Sequence, residues 1–350
     1  MKHFKFYSKE DILSLTRVRR FETRMGERVL FLKSDIEWPE VLLESAARYV
    51  ILGIPEDFGV KANYGVGGTE TAWLSFLNAF LNIQSNDYLT GENTLVLGHF
   101  DFGDIKFLIE NNAYNPEEKV DAYRHALNIV DEEVEDLLKV IASAGKIPII
   151  IGGGHNNAYP IIKGVAKGLH KADKIPLSQI NCINLDAHAC YSVTEGRHSG
   201  NGFRYAEEDG YLGKYCMVGL HENYISQNVL MDIHNNPFID YISYEEIFIH
   251  ERKNFIQAVA HATGFTEDSY TGIEIDLDSI EDTLSSAVTP SGISSLQARK
   301  YVSFTAQDAK VAYLHISEGA TQLADGRKND SAGKLISYLV SDFIKELTQD

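Results

Sequence analysis

Three short stretches of this chain carry side chains suited to holding metal ions and moving protons. Ile273-Glu274-Ile275-Asp276-Leu277-Asp278 closes an apolar run with two carboxylates. In a strand, residues i and i+2 share a face, so Asp276 and Asp278 project side by side. Like charges that close repel, and removing them from water is costly unless a cation sits between them. A divalent metal is the simplest such cation. Asp186-Ala187-His188 repeats the spacing with an aspartate and a histidine, and Gly152-Gly153-Gly154-His155 places a histidine behind glycines that let the backbone turn sharply. Each pattern is weak alone: a glycine run also suits a phosphate-binding turn, and a single Asp or His is more often a cap or a satisfied polar group. Together, at the ends of three apolar runs, they point to one shared metal site.

The elements that must position these groups alternate along the chain. Apolar runs at 48–55, 94–98, 147–151, 179–185, 214–220, 238–242, 270–275 and 311–316 read as buried strands. Between them, helical periodicity appears at 70–82, 116–143, 158–169, 224–233, 244–263, 294–306 and 331–347, while 191–209 reads mostly as loop. This alternation predicts the α/β class, as a single-domain three-layer α/β/α sandwich with a mainly parallel sheet. Ligands bind outside the carboxyl ends of such strands, where His155, Asp186, His188, Asp276 and Asp278 fall. Residues 1–45 are expected to form an N-terminal helical extension, opened by Ser8 as a cap with Glu10 and Asp11 in the first turn, and 46–350 the domain proper.

Composition narrows the partners. With 32 basic against 50 acidic residues and a net charge of −18, neither nucleic acid nor an anionic membrane is an expected partner. Cys182, Cys190 and Cys216 are odd in number and follow no pairing pattern, which predicts a reducing compartment. The chain begins without an apolar signal stretch and contains no apolar run of membrane-spanning length, so a cytoplasmic location is expected. Trp73, Phe76 and Phe80 at helical spacing read as core. Gly65, Gly67 and Gly68 have the wrong spacing for a dinucleotide fingerprint.

Gly152–His155, Asp186-Ala187-His188 and Glu274–Asp278 resemble the three signature motifs of the arginase and agmatinase superfamily of ureohydrolases. Leu52-Gly53-Ile54-Pro55-Glu56-Asp57, Ala62-Asn63-Tyr64-Gly65 and the glycine at 154, in place of the superfamily's usual aspartate, are most similar to the formimidoylglutamase branch. The resemblance implies an arginase-like fold and two manganese ions bridged by a hydroxide that attacks a guanidine or amidine carbon. Paired ions lower the pKa of bound water and clamp the tetrahedral centre, and oxygen-rich ligand sets with one or two imidazoles suit manganese better than zinc. By position it makes Asp186 and Asp276 bridging ligands, gives His188 and Asp278 to one ion, and gives His155 and residue 190 to the other. It implies that Asp278 accepts a proton and that Glu318 pairs with the amidinium. Ser199-Gly200-Asn201 resembles the loop that holds the substrate's amino-acid end. Phe203 stands where arginases carry a proton-shuttling histidine, which argues against arginase itself. Arg197 and Arg204 are candidates for bidentate recognition of a substrate carboxylate, solvated loop arginines being the equal alternative. His198 and His221 are spare candidates for proton transfer.

At one position the chain departs from the superfamily pattern: Cys190 replaces the last aspartate of the second motif. A thiolate is a softer ligand with a longer bond and a single donor atom. Three readings stay open: loss or weak binding of the second ion, a softer ion such as zinc held by Cys190, or a catalytically degenerate chain kept for another role. The expectation is hydrolysis of a C–N bond in a linear amidine or guanidine, most like formimidoylglutamate to glutamate plus formamide. The cofactor would be one or two manganese ions, or zinc if Cys190 ligates. A non-catalytic protein on the same fold is the alternative. A single-metal deacetylase-like hydrolase needs a histidine pair, and no His-His occurs in the chain. By analogy with the family, a homo-oligomer is expected.

Overall fold

The apolar runs pair into one sheet in the computed structural model, which describes residues 2–32, 37–308 and 310–348. Its strands are β1 (Phe4–Phe6), β2 (Tyr49–Gly53), β3 (Thr94–Phe100), β4 (Ile147–Ile151), β5 (Ile180–Leu185), β6 (Leu212–Leu220), β7 (Ile239–Ser243), β8 (Thr271–Asp276) and β9 (Val311–Ser317). Their order is β1-β3-β2-β4-β9-β8-β5-β6-β7. β1 lies antiparallel to β3, and every other neighbouring pair is parallel.

β2, β5, β8 and β9 are buried along their whole length, as a sheet covered on both faces requires. Side chains alternate between two cores. In β4, Ile150 joins the helices Pro116–Ser143 and Ala158–Lys171 on one face. Ile149 and Ile151 join Trp73, Phe76, Val259, Tyr301 and Leu339, from the helices Ala72–Phe80, Phe255–Thr266, Ser295–Asp308 and Ala332–Thr348, on the other. The result is the three-layer α/β/α sandwich. Among the described residues no helix is long and apolar enough to cross a membrane.

Three local expectations change. The stretch before β2 holds helices at Lys9–Ser14 and Trp38–Glu44, but it also supplies β1 and a bridge from Leu30 to Leu95, so it is not purely helical and it extends the sheet. Residues 1 and 33–36 of that stretch lie outside the described residues, as do 309, 349 and 350. The segment 191–209 ends in a helix, Gly202–Glu208. The single helix expected over 244–263 is divided into a π-helical turn at Glu245–Ile249 and an α-helix starting at Phe255. Asn254 restarts the helix because its side chain caps Gln257 while Gln257 caps Asn254 in return.

Register decides where the site can form. Ile151 of β4 pairs with Ile316 of β9, Ile316 with Ile275 of β8, and Ile275 with Leu185 of β5. These four strand ends therefore lie level, and whatever follows each of them emerges on one line. After β4 the chain turns through Gly152 and Gly153, at φ +88° and +77°, in the left-handed region that favours glycine. A Cβ on Gly153 would lie 2.3 Å from Asn157 and 2.7 Å from the Ile54 carbonyl.

This turn is held by Glu56, buried beyond the end of β2. Its Oε1 accepts from the Gly154 N–H at 3.0 Å and from Asn157 Nδ2 at 2.7 Å, and its Oε2 accepts from the Phe58 N–H at 2.6 Å. Glu56→Ala would strand these buried donors, at about 1–3 kcal/mol for each group left unpaired. The expected outcome is a clearly lowered Tm in a thermal melt. An unchanged Tm would show that the turn holds itself.

Candidate metal centre

Four neighbouring strand ends bring the expected residues together. His155 Nδ1 lies 3.1 Å from Asp276 Oδ2 and 3.2 Å from Asp186 Oδ2. The Cys190 thiol donates to Asp186 Oδ2 at 3.3 Å and sits 3.6 Å from His155 Nδ1. These four residues form an inner group, and His188, Asp276 and Asp278 form an outer one; within each, the potential ligand atoms lie within 4.8 Å of one another. Asp276 belongs to both. Asp186 also faces both ways, because its Oδ1 lies 3.6 Å from His188 Nδ1. The two Asp-x-(His/Asp) pairs are braced alike. The His188 N–H donates to Asp186 Oδ1 and the Asp278 N–H to Asp276 Oδ1, each at 2.7 Å. An aspartate bonding to the backbone two residues on is a turn that folds itself.

The electrostatics are those of carboxylates crowded out of water. Asp186, Asp276, Asp278 and Glu318 are all buried. Burial, then Asp186 and Asp278, pushes the Asp276 carboxyl up to about 7. Burial also raises Asp278, and burial with Asp278 and Asp276 holds Glu318 well above the usual carboxylate range. Asp186 goes the other way: burial opposes its charge, but His155 and His188 prevail. Burial opposes the charge of His188 too, yet Asp186, Asp278 and Asp276 lift it to about 9. His155 is likewise raised against burial by Cys190, Asp186 and Asp276, while burial and then Asp186 push the Cys190 thiol up. Glu318 Oε1 accepts from the His155 N–H at 2.7 Å, and its buried Oε2 has no hydrogen-bond partner. Buried carboxylates that crowding keeps from ionising, with an orphaned carboxylate oxygen beside them, fit divalent cations, which would favour their charged forms. The outer donors, one imidazole and carboxylates, suit a hard ion such as manganese.

A second tier stands behind His155. Glu274 Oε2 lies 2.6 Å from His315 Nδ1 and 3.3 Å from His155 Nε2, and Glu274 Oε1 accepts from the Tyr313 hydroxyl at 2.6 Å. Burial opposes the Glu274 charge, but His315 and His155 bring its carboxyl down to about 2. Neither Glu274 nor His315 is singled out by the sequence reading, nor is Glu56. The signal was present: an acid and a histidine each interrupt an otherwise apolar strand, and in the sheet they pair directly across β8 and β9.

The centre floors a cleft of ≈ 230 Å³ lined by His188, Cys190, Asp276, Asp278 and Glu318 below, and by Asn63, Ser192, Ser199, Tyr224, Ser226 and Val229 around it. Cys190 and Glu318 reach the cleft from left-handed backbone, at φ +46° and +63°, a conformation that concentrates at functional sites. Ser199 lines the cleft, with its Oγ 3.4 Å from Asn63 Nδ2.

Arg197, Asn201 and Arg204 depart from the expectation, for none of them lines the cleft. Arg197 is buried and forks onto Asp131 of the helix Pro116–Ser143 at 2.8 and 3.2 Å, with further bonds to the Asn156 carbonyl and to Asn201 Oδ1. The Asn201 amide ties its own loop through the Val193 and Gly196 carbonyls. Arg204 pairs with Glu208 and Asp232. Glu208 is one helical turn from Arg204, but Asp131 and Asp232 lie on elements far away in sequence, so those two pairings appear only in three dimensions. Phe203 packs edge-on against His155 and stacks on Tyr215. His198 is buried outside the cleft, held down at about 4 by burial and Arg124, and accepts from the Gly200 N–H. His221 stacks on Tyr244 and Tyr224.

Comparison with known proteins agrees with this geometry. The model of the arginase family matches residues 47–341. The chain is 24% identical over 351 residues to a formimidoylglutamase of Psychrobacter cryohalolentis, covering 95% of this chain and 96% of that one. It is also 24% identical to a formimidoylglutamase of Streptococcus pyogenes over 168 residues, about half the length of each (46% and 49%). Among solved structures, Trypanosoma cruzi formiminoglutamase with manganese superposes with a TM-score of 0.69 at 18% identity, over 93% of this chain and 98% of that one. Bacillus subtilis formimidoylglutamase gives 0.71 at 15% identity, over 96% and 95%. Sheet, motifs and matched length agree: this chain belongs to the arginase family.

Proposed function

We propose that the chain is a metal-dependent hydrolase of linear amidines, most like formimidoylglutamate, releasing formamide and the amino acid. The observation that carries this reading is the set of buried carboxylates Asp276, Asp278 and Glu318 at the floor of a cleft open to a small molecule, with the buried Asp186 in one ligand group with Asp276. Asp186, Asp276, His188 and Asp278 would hold one ion, and His155 with Cys190 and the shared aspartates a second. When bound, such ions acidify water and stabilise the charge that grows during attack on the amidine carbon.

The chain's own groups supply the rest. Glu318 Oε1 is pinned by the His155 N–H, which leaves Oε2 to accept from an amidinium N–H. A cationic substrate offsets the burial that otherwise favours the protonated acid, so Glu318 is ionised when it is needed. Asp278 takes the proton from the attacking water and returns it to the departing amine nitrogen, so that the C–N bond to the amino acid breaks and formamide keeps the water oxygen. Ser192, Ser199, Ser226 and the Asn63 amide offer neutral hydrogen bonds to the distal end.

No lysine or arginine is found among the described residues that line the cleft. That favours a second reading of the substrate, as an amidine or guanidine whose tail is uncharged or cationic. The test is a panel of amidines and guanidines with anionic, neutral and cationic tails, incubated with the manganese-loaded chain while formamide, urea and ammonia are measured. Formamide release that stops on chelation and returns with manganese is expected. No turnover of any member, with both positions loaded, sinks the hydrolase reading and leaves the non-catalytic alternative.

Two variants sharpen it. Glu318→Gln removes a charge-assisted bond of about 1.5–3 kcal/mol, so kcat/KM should fall by roughly 10- to 100-fold with ions per chain unchanged. An unaltered kcat/KM would take Glu318 out of substrate binding. Arg197→Lys cannot fork onto Asp131, so it should lower Tm and leave KM unchanged. A raised KM with an intact Tm would return Arg197 to the substrate.

A further inference from the structure

We infer that the two halves of this centre select different ions: the inner group His155, Cys190, Asp186 and Asp276 is a zinc site, beside an outer manganese-type site at His188 and Asp278. The inference rests on the metal-centre reading above and adds which ion each position takes.

The inner group has the donor set and the spacing for it. It offers one imidazole nitrogen, one sulfur and two carboxylate oxygens. A four-coordinate ion with bonds of about 2.0–2.3 Å has ligand-to-ligand edges of about 3.3–3.6 Å by simple tetrahedral geometry. The measured edges are 3.1 Å from His155 Nδ1 to Asp276 Oδ2, 3.2 Å from Nδ1 to Asp186 Oδ2, 3.3 Å from Cys190 Sγ to Asp186 Oδ2 and 3.6 Å from Sγ to Nδ1. Of these four edges the longest is the nitrogen-to-sulfur one, in the direction of a longer metal–sulfur bond.

Softness and surroundings point the same way. A thiolate discriminates in favour of zinc over manganese, and zinc also binds most mixed sites more tightly. His155 and Asp186 are buried and do not line the cleft, and Phe203 packs edge-on against the His155 ring, so of the inner donors only Cys190 and Asp276 reach it. Behind the group, Glu274 Oε2 lies 3.3 Å from His155 Nε2, while His155 Nδ1 lies 3.1–3.6 Å from the Asp276, Asp186 and Cys190 donor atoms. The outer group has no sulfur, and His188 is partly exposed on the cleft side, open to water.

The experiment loads metal-free full-length chain from an equimolar mixture of zinc and manganese, removes unbound ions and counts both per chain. Wild type should retain one zinc per chain as the manganese excess is then raised, and Cys190→Asp should give that zinc up at a lower excess. The zinc-over-manganese preference of the inner position should drop by roughly tenfold or more. A readout independent of turnover is cobalt substitution. Wild type should show a thiolate-to-cobalt charge-transfer band that is absent in Cys190→Ser and Cys190→Asp. Zinc should also shield Cys190 from alkylation, with Cys182 and Cys216, both fully buried, as silent controls. Two manganese ions in wild type, or a cobalt band that survives both variants, overturns the assignment. The two readings fail separately: amidine turnover by a two-manganese wild type removes only the zinc site. Conversely, one zinc, one manganese and a cobalt band without turnover of any substrate remove only the hydrolase.

Discussion

Carboxylates that must share one buried edge without a lysine or arginine among them set the terms for this molecule. Asp186, Asp276, Asp278 and Glu318 converge there, and His155 and His188 are the cationic side chains that face them. Their repulsion is worth bearing only if it is relieved by something the cleft receives. In the proposed reading, divalent ions would relieve it from below and a cationic substrate would relieve it at Glu318 from above. The protein thus keeps an electrostatic deficit that ligands complete.

Such a deficit needs a rigid frame, and the sheet provides one. Because Ile151, Ile316, Ile275 and Leu185 lie in register, the groups after them cannot drift apart without breaking ladder hydrogen bonds. Around His155 the frame is doubled. Glu56 holds the backbone of its turn, Glu274 faces the far side of its ring, and its own N–H orients Glu318. One histidine therefore links the candidate metal donors, the inner acid–histidine pair and Glu318. The cleft walls are built differently, from serines and an asparagine on loops. Chemistry is placed on the sheet and selectivity on the loops, the usual division in α/β folds.

The arginines show how composition can mislead. Arg197 and Arg204 sit within a few residues of the expected substrate loop, yet each is neutralised by an acid from another element. Arg197 fastens the loop to the helix Pro116–Ser143 and stacks over Tyr159 and Tyr205. Its planar fork serves loop geometry, and Ser199 reaches the cleft from the loop it secures.

By itself the sequence determined the alternation of strands and helices, the strand ends that carry His155, Asp186, His188, Asp276 and Asp278, and the anomaly at Cys190. These are local properties: apolar runs mark strands, and spacing along a strand fixes which side chains share a face. The short strand β1 and the divided helix after β7 escaped, since three residues give no periodicity and one asparagine cap is a small signal. Only the tertiary structure decided that β9 and β8 insert between β4 and β5, because strand order depends on long-range pairing that no window of sequence contains. That insertion placed Glu274 opposite His315, put Glu318 over His155, and set Cys190 at ligand distance from its partners. Tertiary structure also set Arg197 against Asp131, because burial lets a fixed cation settle only where a fixed anion meets it.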